Sequence, residues 1–455
     1  MGGDGMQVAV DTRDNQTVYT GFQFGNYFRL NTTNGSQKYL QMPQEIGEIK
    51  NRFNWQSPIL LSKHNQDVVY FGGNRFFRSL DKGETWKALS GDLTKGGKEG
   101  DVPFGTLTTI DESSLKFGLL YVGTDDGFIH ISKDGGYTWT KISDGLPQNL
   151  WVSRVSASNH AEGTVYASLN GYRDDHFNSY VSRSTDYGTT WQKIGEDLPA
   201  EPVNVVKEDP KNPNILYVGT DHSLYISVNQ GKTFMRMSGD MPAVAVHDLI
   251  VHTRDNELVV GTHGRSIYIA DVSLVQQLTD SLMNKDLHLF VMKPININPR
   301  WGRVDASRKY DEPEKREYPI SYFTKNLGKT KVNISTDRGL VLKEMTDDSE
   351  AGINIINWDY TINPTAAKDY EKYLNDTKKK DDKAIKVEEG EDKYFYVKAG
   401  KYKITFETVT GIKSEQSFEI KTPERRSRRM AIPSAISSPG EFEEWFEESG
   451  FEGKK

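Results

Sequence analysis

Ser132-Lys133-Asp134-Gly135-Gly136-Tyr137-Thr138-Trp139 is one of four copies of a single phrase, S-x-D-x-G-x-T-W. The others are 79–86, 184–191 and, in weaker form, 227–234, where Asn229 and Phe234 replace the Asp and the Trp. Asp81, Asp134, Asp186 and Asn229 are spaced by 53, 52 and 43 residues. That period belongs to propeller blades.

The phrase is a hairpin tip. An Asp two residues before a Gly closes a tight turn, because the carboxylate accepts nearby backbone N–H groups and the Gly takes a positive φ. The ring of Trp86, Trp139, Trp191 or Phe234 then opens the next strand and is expected to fold under the turn. The carboxylate on this reading is a structural acceptor, so Asp81, Asp134 and Asp186 are bracing residues. The phrase resembles the Asp box, or bacterial neuraminidase repeat, found in sialidases, some other glycoside hydrolases and sortilin-type receptor propellers. What the resemblance implies is the fold; these families share the turn and not the chemistry.

Working outward, each unit repeats an apolar strand, a turn, a Tyr/Val-rich strand ending in Gly, another turn, an aromatic-alternating strand and the box. Six units are legible, marked by Val18–Gly21, Val69–Gly72, Leu120–Gly123, Val165–Ser168, Leu216–Gly219 and Leu258–Gly261. Period-two alternation makes these strands. The expected fold class is all-β, a propeller of about six visible blades over 1–273, open to being part of a larger propeller. The opening Gly2-Gly3-Asp4-Gly5 resembles an interior stretch of larger bacterial sortilin-like proteins, and the chain is read as a carboxy-terminal portion.

Beyond 273 the composition changes. A connector is expected over 274–318 and a β-sandwich over 319–421, with a charged, solvated insertion at 366–392 that is helical near Tyr370 and Tyr373. Gly352–Asp359 and Ala399–Ile404 resemble the immunoglobulin-like modules appended to bacterial surface proteins. A basic linker and a short amphipathic helix are expected over 422–455.

The chain has 455 residues, 40 Gly, no Cys and a formal net charge of −7. The missing Cys excludes disulfides and thiolate metal sites, and the negative balance argues against nucleic acid as a partner. No apolar run reaches 18 residues, so no membrane span is expected. The amino terminus carries no export signal, yet the resemblance places the protein outside the cytoplasm. H-E-x-x-H, P-loop and G-x-S-x-G motifs are absent. No cofactor and no metal are expected, and the oligomeric state is left open.

The turns between second and third strands share one face of a propeller. They carry Asn74 and Arg75; Asp125 and Asp126; Arg173, Asp174 and His176; Asp221 and His222; His263 and Arg265. In register they would line one rim of the channel, where loop residues commonly bind ligands. Each is also an ordinary turn former. A glycosidase needs two carboxylates about 5 to 9.5 Å apart; Asp125 or Asp126 with Asp174, Asp175 or Asp221 could supply them. None of these residues matches a sialidase catalytic set, so no catalytic residue is assigned. The primary expectation is a non-enzymatic, sortilin-like propeller that binds protein, peptide or glycan. The alternative is a glycoside hydrolase.

Overall fold

The computed structural model describes residues 2–48, 50–237, 241–303, 317–378 and 383–422. The chain is all-β, and it divides into two compact units, Met1–Met283 and Asn284–Lys455.

The first unit is a β-propeller array of six antiparallel sheets in chain order. Blade five is typical, with Val203–Glu208, Leu216–Thr220, Leu224–Ser227 and Met235–Arg236 side by side. Blades one to five have four strands; blade six has three, Val246–His252, Glu257–Thr262 and Ile267–Asp271. The first strands of blades three to six pack against one another, so they form the inside of the array.

Five apolar cores lie between successive blades, from one and two through to five and six. Each contains the Tyr of the second strand of the earlier blade: Tyr19, Tyr70, Tyr121, Tyr166 or Tyr217. Blade six has Val259 there, and its outer face shows Ile250, Ile267 and Ile269 each about two-thirds exposed. Blade one shows Val8 and Val10 exposed on its side. Among the described residues no sixth core joins blade six to blade one, so the six blades form an open arc.

The recurring turn is built alike in all four copies. In blade three, Asp134 accepts from the Ser132 hydroxyl at 2.8 Å, the Thr138 backbone N–H at 2.9 Å and the Thr138 hydroxyl at 2.7 Å. Asp81 and Asp186 repeat all three bonds, and Asn229 repeats the first two. Two consecutive residues in each turn have positive φ, as at Gly135 and Gly136, which the Gly tolerates without strain. The rings depart from expectation: they reach toward the preceding blade instead of only folding under their own turn. Trp139 meets Phe76 edge-on at 5.0 Å, and Trp191 donates to the Ile142 carbonyl at 2.6 Å.

The second unit is a β-sandwich. Leu287–Leu289, Tyr318–Thr324 and Gly352–Trp358 form one sheet. Ile295–Asn296, Lys413–Lys421, Gly400–Thr408, Gly328–Thr336 and Val341–Ser349 form the other. Both contribute to one core around Trp358, Tyr322 and Phe406. The helix Ala367–Thr377 lies within the charged stretch, but it is docked: Tyr370 and Leu374 are buried in that core. Tyr370 pairs with the Tyr402 hydroxyl and accepts from the Lys398 N–H at 2.9 Å. The expected linker and tail helix lie outside the described residues from 423 onward.

Candidate functional site

The second-to-third-strand turns fall into two groups. Those of blades two and three are locked. Asn74 is buried, accepts from the Arg52 N–H at 3.0 Å and donates to Asp92 at 3.1 Å, while Arg75 pairs with Glu48 at 2.9 Å. Asp125 is buried beneath the Gly105 and Thr106 backbone N–H groups and the Thr106 hydroxyl. Its desolvation raises its pKa in spite of those bonds. Asp126, also buried, accepts from the Lys95 N–H and the Thr124 hydroxyl. These carboxylates brace loops and are withdrawn from any substrate.

The turns of blades four to six are exposed, and the fold brings some of them together. His263 stacks on His247 with ring centroids 5.2 Å apart. Burial pushes the His247 pKa below the ordinary imidazole value, reinforced by His263 and Arg173 and opposed by Asp221 and Asp248. Arg173, Asp221 and His263 thus lie within electrostatic reach of His247. The Arg173 guanidinium lies over the Trp151 ring, 4.1 Å from its centroid. Asp221 accepts from Asn204 at 2.9 Å, and Asn204 accepts from Asn170 at 2.8 Å. Other candidates are not drawn in. His176 turns back onto Tyr180 of its own hairpin at 3.1 Å, His222 lies 3.7 Å from Glu201, and Asp174 and Arg265 face solvent.

Trp151, Arg154, Asn204, His247 and Asp248 escaped the reading of the turns because they lie on first strands. A recurrent signal was present. Thr108, Ser153, Asn204 and His247 occupy the same place in Leu107-Thr108-Thr109, Val152-Ser153-Arg154, Val203-Asn204-Val205 and Val246-His247-Asp248. Each is the extra residue of a β-bulge. Bulges re-aim a side chain and recur beside functional sites. Thr108 and Ser153 spend theirs on structure, donating to the Val152 and Val203 carbonyls of the next blade at 2.6 and 2.7 Å. Asn204 and His247 turn theirs to the Asp221 and His263 cluster. Arg154 then spans from blade four to Asp248 of blade six at 2.9 Å.

This arrangement offers two carboxylates, Asp221 and Asp248, an imidazole pair and an aromatic platform. Among the described residues no cluster of three or more His, Asp or Glu could hold a metal ion. A groove lined by Thr17, Arg29, Asn31, Lys38 and Lys82 lies between the outer strands of blade one and the box turn of blade two, away from this rim, and its lining carries no carboxylate.

No family model matches the chain. The chain is 30% identical over 138 residues to a xyloglucanase of Hypocrea jecorina, covering 27% of this chain and 16% of that protein. It is 25% identical over 198 residues to an oligoxyloglucan-reducing end-specific xyloglucanase of Emericella nidulans, covering 41% and 23%. It therefore spans about a sixth to a quarter of these relatives' length. Among solved structures it resembles the GH74 xyloglucanase of Xanthomonas campestris (19% identity, TM-score 0.46, 58% of this chain and 44% of that one). It also resembles the Niastella koreensis GH74 enzyme (14%, TM-score 0.44, 91% and 65%). No helix among the described residues is long and apolar enough to cross a membrane. The sequence relatives correct the primary expectation: both are glycoside hydrolases by name, and the non-enzymatic, sortilin-like reading gives way to the alternative.

Proposed function

We propose that this chain is part of a carbohydrate-active β-propeller of glycoside hydrolase type, acting outside the cytoplasm on a xyloglucan-like polysaccharide. The observation that carries this reading is the sequence relationship to two proteins named as xyloglucanases, over 138 and 198 residues. The rim of blades four to six supports it. Sugars are bound by flat apolar faces beside polar groups, and Trp151 with Arg173, Tyr172 and Phe177 supplies both. On this reading Asp221 and Asp248 take the acid and base roles. The four recurring turns are Asp boxes with a bracing role, and the sandwich is a separate immunoglobulin-like module.

The test is retention on xyloglucan in affinity electrophoresis together with release of reducing ends. Retention and turnover are expected, with Asp221→Asn or Asp248→Asn lowering turnover by about 100-fold or more while retention persists. A chain that neither binds nor cuts xyloglucan sinks the reading. Turnover unchanged in both variants removes the carboxylate assignment alone.

A further inference from the structure

Both ends of the arc carry the faces of interior blades. In blade five, Leu224 and Ile226 of the third strand stand opposite Gly219 and Tyr217 and are buried against blade six. Blade six repeats that face with Ile267 and Ile269, opposite Gly261 and Val259, yet both isoleucines are about two-thirds exposed. Leu258-Val259-Val260 and Ile267-Tyr268-Ile269 are apolar without alternation, the pattern of strands covered on both sides. Strands that stay in water are guarded by charges or Pro, and 267–270 have neither. Among the described residues no fourth strand pairs with this strand.

The other end shows the opposite kind of face. In blade six, Leu249, Val260 and Tyr268 form one row and Val251, Leu258 and Ala270 the next. Leu249, Leu258 and Val260 are buried in the core shared with blade five, and Val251 and Tyr268 pack against it. The matching rows of blade one are Thr20, Phe28 and Tyr39, and Val10, Val18 and Leu30. None of these six belongs to the core shared with blade two. Val10 and Tyr39 are exposed, and Phe28 meets Phe22 at 6.2 Å and Tyr39 at 5.2 Å. Every interior boundary joins one kind of face to the other, and one of each is left free at opposite ends.

We propose that these two faces bind each other between copies of this chain, blade six of one copy packing on blade one of the next. Direction sets the occupant. Within the arc the face that carries Ile269 in blade six is always covered by the leading face of a following blade, and blade one is the described blade whose leading face is free. The contact continues the boundary already repeated five times: Ile267 and Ile269 take the places of Leu224 and Ile226, and Phe28 and Val10 those of Tyr268 and Val251. A blade face is about 20 Å on a side, so one contact buries about 800 Å² over both partners, the size of a weak association. Being head-to-tail it repeats, and copies join in a closed ring or a row.

The experiment is sedimentation velocity with light scattering on the full chain from about 1 to about 200 μM, the range in which a weak contact of this size fills. The mass is expected to rise with concentration above the 51.5 kDa of one chain. Ile269→Lys and Val10→Lys are each expected to remain single chains with an unchanged far-UV circular dichroism spectrum, because both side chains are exposed in the single copy. Each variant keeps the face that the other has lost, so an equimolar mixture is expected to give a dimer and nothing larger. Leu80→Lys, exposed on the box turn of blade two, is expected to associate as the unaltered chain does. An unaltered chain that stays single at every concentration overturns the contact. Association that survives in Ile269→Lys or in Val10→Lys alone overturns the head-to-tail pairing, as does a mixture that stays single.

Discussion

The phenolic hydroxyl of Tyr70 donates to the Glu112 carboxylate at 2.8 Å across the boundary between blades two and three. The same bond joins Tyr166 of blade four to Glu208 of blade five at 2.9 Å. Each Glu is further held by a Ser hydroxyl and a backbone N–H of the earlier blade: Ser62 and Lys63 for Glu112, Ser158 and Asn159 for Glu208. A buried carboxylate in an otherwise apolar interface is therefore fully bonded, and it fixes the register of one blade on the next. Tyr121, between blades three and four, is equally buried but its hydroxyl has no partner among the described residues.

That contrast makes a paired prediction. Tyr70→Phe leaves Glu112 short of a donor and is expected to cost about 1–3 kcal/mol. Tyr121→Phe removes an unsatisfied hydroxyl and is expected to be neutral or slightly stabilising. Equilibrium denaturation of the two variants checks this, and equal losses would contradict it.

The box carboxylates carry a pH signature. Bonds from the Thr138 hydroxyl and N–H hold the Asp134 pKa at about 2, and the corresponding Thr85 and Thr190 bonds hold Asp81 and Asp186 at about 2. An unfolded Asp titrates near 3.9. The stabilisation is thus fully present above about pH 4 and is lost as pH falls from about 4 toward 2. Melting temperature should drop through that window, and less steeply in Asp134→Asn, which imitates the uncharged Asn229 of blade five.

Trp139 bridges its own turn and the preceding blade, donating to the Gly136 carbonyl at 2.8 Å while meeting Phe76. Trp139→Ala is expected to cost about 3 kcal/mol. Trp139→Phe should recover part of that loss by refilling the interface without the indole hydrogen bond. Thermal or chemical denaturation distinguishes the two.

The open end of the arc can be read by comparing two equivalent positions. Ile226 of blade five and Ile269 of blade six lie opposite Tyr217 and Val259 on corresponding strands. Ile226 is 5% exposed and Ile269 63%. In this chain Ile226→Lys is expected to cost more than about 3 kcal/mol, and Ile269→Lys less than about 0.5 kcal/mol. Comparable losses at both would show that blade six is covered.

His247, stacked on His263, answers to pH in the same direction as the carboxylates. Because burial lowers the folded pKa of His247, the stabilisation is fully present above the unfolded imidazole value of about 6.5 and declines as pH falls below it. Proton NMR of the His247 ring should show a titration midpoint below the ordinary imidazole value of about 6.5, and a midpoint at or above it would contradict the burial seen here.

Blade count, strand order within blades and the bracing role of Asp81, Asp134 and Asp186 were all legible in the chain, because each depends on neighbours within about ten residues. A turn's hydrogen bonds and a strand's alternation are local, and repetition makes them unmistakable. The rim was only partly legible. Asp125 and Asp126 look no different in sequence from Asp221, yet two are buried under loop N–H groups and one faces His247. The helix at 367–377 likewise reads as a charged surface segment until Tyr370 is seen against Tyr402.

By itself, then, the order of residues determined an all-β propeller with structural turn aspartates, since period-two alternation and Asp-x-Gly turns admit few other solutions. Tertiary structure alone decided which polar groups meet. His247, Asp248 and Arg154 come from first strands up to 94 residues apart, and only the packing of those strands side by side brings their charges within reach of one another.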